Sequence, residues 1–212
     1  MFIETFPSGP FETNAYVVGC PKTKEAVIID PAPGSEKSIS HYLKQNSLIP
    51  KEIWLTHTHW DHIGDVKKLK ALYGLPVRVH KQDAPNLRKP GADGLPLFFA
   101  IEGVEPDFFL EEGEILTLGD MKWEVIHTPG HSPGSVCFYS KESKTLLSGD
   151  TLFKGSIGNL SFPTSDAPSM WNSLKKLENL PKDTRFFPGH GEPSTIERES
   201  WLKDAPQIFG NH

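Results

Sequence analysis

The segment His57-Thr58-His59-Trp60-Asp61-His62 places four side chains of metal-ligand type within six residues. It follows the apolar stretch Ile53 to Leu55, which reads as a buried strand, and precedes a helix carrying Val66, Leu69 and Tyr73 on one face with Gly74 as its stop. The segment is therefore an extended strand-to-helix turn. In extended chain, residues two apart project the same way, so His57 and His59 can share one metal ion. Asp61 and His62, just beyond, turn towards a neighbouring position. A helical H-E-x-x-H site is absent.

Further donors stand after other predicted strands: His131 in Thr-Pro-Gly-His-Ser, Asp150 in Ser-Gly-Asp-Thr and His190 in Pro-Gly-His-Gly. A glycine beside each permits close backbone approach. Five imidazoles and two carboxylates are too many for one tetrahedral zinc. They suit two divalent ions with one carboxylate bridging. The donor chemistry favours zinc, with iron or manganese as alternatives, over an all-thiolate site.

Around these points the pattern predicts strands at Asn14 to Val18, Ala26 to Ile29 and Leu75 to Val79, and a helix opened by Ser35 with Ile39, Tyr42 and Leu43 on one face. After Gly113 come strands only, at Ile115 to Leu118, Lys122 to Ile126, Val136 to Tyr139 and Thr145 to Leu147. An amphipathic helix follows Pro168, with Met170, Trp171, Leu174 and Leu177 as its core face, and then a strand at Thr184 to Phe187. Ser194 and Glu197 read as a capping box opening a last helix through Trp201. Residues 88–110 lose periodicity and hold Phe98, Phe99, Phe108 and Phe109. Such a loop lines a pocket or covers an interface, the latter being the commoner use of an apolar patch. Strands, helices, strands, helices in that order predict an α/β (α+β) helix/sheet/sheet/helix sandwich rather than a doubly wound sheet.

The 212 residues suit a single domain spanning 1–212. A net charge of −5 disfavours nucleic acid and anionic membrane. No apolar run of transmembrane length exists, and Met1 to Pro10 lacks a basic signal-peptide start. Two cysteines, Cys20 and Cys137, make no disulfide framework, so a reduced, cytoplasmic setting is expected. Cys137 reads as a small core residue and Cys20 as a turn residue. His127 reads as structural, His41 and His80 as solvated, and His212 as a disordered terminus.

His57-Thr-His59-Trp-Asp61-His62, with His131, Asp150 and His190 following in order, resembles the H-x-H-x-D-H pattern of the metallo-β-lactamase superfamily, over nearly the whole chain. Trp60, Thr-Pro-Gly-His131 and Leu152-Phe-Lys-Gly-Ser156-Ile-Gly look most like the glyoxalase II-like branch, in the single-domain form of hydroxyacylglutathione hydrolase. The resemblance implies an αβ/βα four-layer fold. It implies one metal on His57, His59 and His131, a second on Asp61, His62 and His190, and Asp150 between them. Two cations roughly 3.5–4 Å apart would hold a bridging hydroxide with its pKa brought from 15.7 towards about 7. Asp61 would be the catalytic residue that orients it and accepts its proton. The expected substrate is a small thioester such as S-lactoylglutathione, and the expected assembly a monomer or homodimer.

Alternatives are a hydrolase of another small ester or thioester, and a mono-iron persulfide dioxygenase using only His57, His131 and Asp150. Where single-domain relatives usually carry Arg after the Gly-Ser-Ile-Gly stretch, this chain has Asn159. Lys154, Arg88 and Lys89 are candidates for meeting an anionic substrate, although surface lysines are common. Thr56, Thr58 and Asp30 are candidates for tying the ligand loop or accepting from an imidazole N–H, Asp30 reading equally as a turn residue. Without a secretion signal, a lactam substrate is not expected.

Overall fold

The strand after which the ligand segment emerges belongs to a six-stranded sheet whose strands pair in chain order. In this computed structural model, which describes residues 1–210, those strands are β1 (Phe2–Ser8), β2 (Thr13–Gly19), β3 (Glu25–Ile29), β4 (Ile49–Trp54), β5 (Val77–His80) and β6 (Phe108–Leu110). The first three are antiparallel neighbours, and β3 to β6 run parallel. A second six-stranded sheet holds β7 (Ile115–Leu118), β8 (Met121–His127), β9 (Val136–Ser140), β10 (Thr145–Gly149), β11 (Arg185–Pro188) and β12 (Ser194–Thr195), again in chain order.

Alternation along the strands divides the interior into three apolar clusters. Val17, Ile28, Ile53 and Val77 face α1 (Glu36–Gln45) and α3 (Val66–Tyr73), burying Ile39, Leu43, Val66 and Leu69. The next residues along, Val18, Ile29 and Trp54, meet Trp123, Val125 and Phe138 between the sheets. Tyr139, Leu146 and Phe186 face α5 (Ala167–Glu178) through Met170, Leu174 and Leu177. Three cores between four layers are the expected αβ/βα sandwich. Short helices α2 (Trp60–Ile63), α4 (Ala84–Arg88) and α6 (Ala205–Phe209) complete the described elements.

Several local expectations change. Phe2–Ser8 is a strand, paired only with β2, and Pro7 is tolerated because one side of this strand has no partner. The Phe-rich loop ends in a strand, β6, added to β5. Ser194 does not cap a helix: it lies in β12, its hydroxyl donates to Glu199, and the following turns are 3-10. His80 is buried, not solvated, with its ring stacked on His127 at 4.0 Å. Cys20 is buried too, its thiol donating to Asp120, and Cys137 is a core residue as expected. His41 is exposed, and His212 lies outside the described residues.

Candidate metal centre

The C-terminal ends of five strands, two in the first sheet and three in the second, meet at one edge of the sandwich. β3 delivers Asp30, β4 the His57 to His62 segment, β8 His131, β10 Asp150 and β11 His190. Backbone bonds cross between the sheets here, from Val136 N–H to Thr56 C=O (2.8 Å) and from Asn14 N–H to Gly189 C=O (2.7 Å).

The seven candidate donors come together. One nitrogen each of His57, His59 and His131 lie within 4.8 Å of one another, as do donor atoms of Asp61, His62 and His190. Asp150 stands between the trios. Its Oδ2 is 3.5 Å from His131 Nε2 and 3.4 Å from His190 Nε2, and its Oδ1 is 3.4 Å from His62 Nε2. Gly189 makes this possible, because a Cβ there would sit 2.0 Å from Asp150 Oδ1.

Hydrogen bonds fix which ring atom faces the centre. His62 Nδ1–H donates to Asp30 Oδ2 (3.0 Å), and Thr56 Oγ1 donates to the same oxygen. His57 Nδ1–H in turn donates to Thr56 Oγ1 (3.1 Å), so Asp30 orients one imidazole of each trio. Asp30 adopts φ of +45°, so its turn and acceptor roles coincide. Asp30 also falls within reach of His57 and His62 as a third donor group. Its oxygens, however, already accept from Thr56 and His62. His131 Nδ1–H donates to Asn159 C=O (2.9 Å) and His190 Nδ1–H to Phe11 C=O (3.0 Å). Nε2 of His57, His59 and His62 and Oδ1 of Asp150 are left buried with no hydrogen-bond partner. Buried polar atoms are rarely left so. His59 instead turns Nδ1 inward, 2.8 Å from His131 Nε2. The unpartnered Nε2 atoms of His57 and His62 and Oδ1 of Asp150 are what a cation would satisfy, and the residues fit divalent metal ions.

Burial opposes charging every member, so each net shift shows what its neighbours do. His57 and His131 are held below the ordinary histidine value by burial, and His59 is brought to about 3 by burial and then by His131. Against burial, Asp61 and Asp150 hold His62 well above that value, and Asp150 and Asp61 raise His190 to about 9. Also against burial, His62 and His190, with the Thr13 hydroxyl, hold Asp61 at about 2, and His62 keeps Asp150 ionised.

Supporting residues invisible in the motif come from distant segments. Thr13 Oγ1 donates to Asp61 Oδ2 (2.7 Å), and the Asn14 amide donates to Pro188 and Gly191 carbonyls, clamping the His190 loop. Asp83 is buried between two ligand loops. It accepts from Thr58 N–H (3.0 Å), Ser132 Oγ (2.8 Å) and Gly134 N–H (2.6 Å). Only its place at the end of β5, just before the start of α4, could have marked it. Asn159 serves His131 through its backbone, so its side chain is not the contact an Arg would make. Lys154 pairs with Glu192 and Arg88 with Glu105, while Lys89 is exposed at the end of α4.

Two histidine-rich trios around one shared carboxylate match a known family. The model of the metallo-beta-lactamase superfamily matches residues 8–190. The chain belongs to the metallo-beta-lactamase superfamily. Within it, hydroxyacylglutathione hydrolase GloC of Haemophilus influenzae is 34% identical, aligned over 94% of this chain and 95% of that protein. The crystal structure of BLEG-1 B3 metallo-beta-lactamase superposes with a TM-score of 0.88 at 37% identity, over 99% and 100% of the two chains. That of TTHA1623 in a di-iron-bound form gives 0.80 at 38% identity, over 94% and 97%. Membership makes this a metallo-hydrolase scaffold with histidine and aspartate metal-binding clusters. No helix among the described residues is long and apolar enough to cross a membrane.

Proposed function

We propose that the chain is a dinuclear metal-dependent hydrolase that cleaves a small thioester, with S-lactoylglutathione as the reference substrate. The observation that carries this reading is Asp150, whose carboxylate lies within 3.5 Å of a histidine nitrogen of each trio. His57, His59 and His131 would hold one ion, Asp61, His62 and His190 the other, and Asp150 both. When bound, the ions supply Lewis acidity and a hydroxide from water at neutral pH. The identity of GloC supports the acyl-transfer chemistry, and the di-iron form of TTHA1623 supports two ions of open identity, zinc or iron.

The chain's own residues do the positioning. Asp61, held ionised beside His62 and His190, is an acceptor only, suited to orienting the attacking water. Thr13 fixes the carboxylate rotamer from the far side. The hydrolysis breaks the acyl C–S bond and forms a C–O bond. Oxygen from water goes into the carboxylic acid and its proton to the departing thiolate. A second, complete trio with its own carboxylate favours this over a site for one iron.

The test is hydrolysis of S-D-lactoylglutathione by aliquots loaded with zinc, iron or manganese, with metal per chain measured in each. A kcat/KM within roughly 10⁴–10⁸ M⁻¹s⁻¹, two ions per chain and loss of both in Asp150→Ala are expected. One iron per chain with oxygen uptake on a persulfide, or turnover of a β-lactam alone, would overturn the proposal.

A further inference from the structure

Aromatic rings cluster beside the centre. Phe11, at the turn between β1 and β2, holds His190 through its carbonyl, yet its ring is 53% exposed. That ring packs on Trp60 (centroids 5.2 Å apart) and on Phe98 (6.3 Å). Phe98 is 68% exposed and lies 5.3 Å from Trp60, which stands between the ligands His59 and Asp61. Across the trios Phe162 sets its edge to His59 (5.3 Å) and His131 (5.6 Å). The Phe-rich loop thus splits. Phe98 packs on Trp60 and Phe11 beside the ligand segment, while Phe108 and Phe109 belong to β6.

Two of the three candidate cations are paired. Lys154, one residue after Phe153 whose ring meets His190, is paired with Glu192 at 2.6 Å. Arg88 is held by both oxygens of Glu105. Among the described residues the two cation–ring contacts, Arg78 on Phe108 and Arg185 on Phe187, lie elsewhere. Phe11 and Phe98, left in water on either side of the buried Trp60, gain free energy by covering an apolar group, and they offer a dianionic peptide thiol no charge partner.

Resting on the thioesterase reading, we propose that Phe11, Trp60 and Phe98 form a subsite for an uncharged, apolar and preferably aromatic group of the substrate. S-Lactoylglutathione is then tolerated, and an aryl-bearing or long-chain acyl thioester is preferred.

The test uses the metal-loaded full chain. One arm fixes the thiol and varies the acyl group: S-acetyl-, S-hexanoyl- and S-phenylacetyl-N-acetylcysteamine. The other fixes acetyl and replaces the thiol by benzyl mercaptan. A preference for the apolar member of about tenfold in kcat/KM, carried by KM, is the scale one buried ring provides. The arm showing it assigns the subsite to the acyl or the thiol side. Phe98→Ala and Phe11→Ala should bring the preference below about threefold, and Phe108→Ala, an exposed phenylalanine away from the centre, should leave it intact.

Absence of preference in both arms, or a preference unmoved by both rim variants, overturns the subsite. If no thioester is cleaved at all, the hydrolase reading fails instead. The subsite is then judged by binding alone. Phenylacetate, not acetate, should quench tryptophan fluorescence saturably, with the response lost in Trp60→Phe and weakened in Phe98→Ala. Equal responses to the two acids would overturn it.

Discussion

The two trios differ in what each does without a cation. His57, His59 and His131 are buried, carry no carboxylate among themselves and are held neutral by burial and mutual repulsion. Asp61, His62 and His190 include the one donor with a substantially exposed side chain, His190 at 26%, and form an ion cluster of their own with Asp150. The first trio is neutral, with His59 Nδ1 and His131 Nε2 hydrogen-bonded to each other, and has no proton to surrender beyond the one they share before a metal ion enters. The second has its histidines held protonated by carboxylates and must surrender protons to make room. The same residue type, on neighbouring loops, is set to opposite protonation states by whether a carboxylate faces it.

Removing one ligand from each trio breaks the comparison most strongly. His59→Ala is expected to lose the first ion and His190→Ala the second, each with activity down by on the order of 10³-fold or more, since several kcal/mol of charge stabilisation goes with the ion. Metal per chain is the readout. If both variants lose both ions equally, the trios are one site and the contrast fails. Asp30→Asn should weaken both trios together, by about 10–100-fold in metal affinity, because it orients His57 through Thr56 and His62 directly. An effect confined to one ion would show that the Thr56 relay does not operate.

The pH dependence sharpens the contrast. His190 titrates near 9 in the metal-free fold against about 6.5 unfolded. Its contribution to stability is therefore full below about pH 6.5 and lost as pH rises through 9. His59 has the opposite sign. With a folded value near 3 it binds fewer protons than the unfolded chain, so stability falls as pH drops below about 6.5. The melting temperature of the metal-free protein should decline on both sides. Ion affinity should rise between pH 7 and 9 in His59→Ala, which keeps the second trio, and stay level in His190→Ala. The smallest expected effect is at Asn159. Asn159→Ala should change kcat/KM less than about twofold, because His131 uses its carbonyl, not its side chain.

The four-layer order and the seven donors were readable because each is written locally, in strand-length apolar runs and in glycine-flanked polar residues at their ends. What escaped depends on pairing over long separations. Thr13 reaches Asp61, and Asn14 reaches Pro188, only because β2 runs alongside both. Asp83 looks like the start of a helix until the fold brings Ser132 and Gly134 onto it. β1 carries Pro7, and His80 reads as solvated because its stacking partner is 47 positions away in the other sheet. Phe98 was visible as an apolar excess, but its neighbours Phe11 and Trp60 were not.

The chain-order pairing of both sheets has a kinetic consequence. Paired strands are neighbours in sequence throughout each sheet, so each sheet is expected to assemble from its own half of the chain. Each trio, however, takes two members from the first half and one from the second. The centre is therefore completed only when the halves dock, and ion capture during refolding should report that last step.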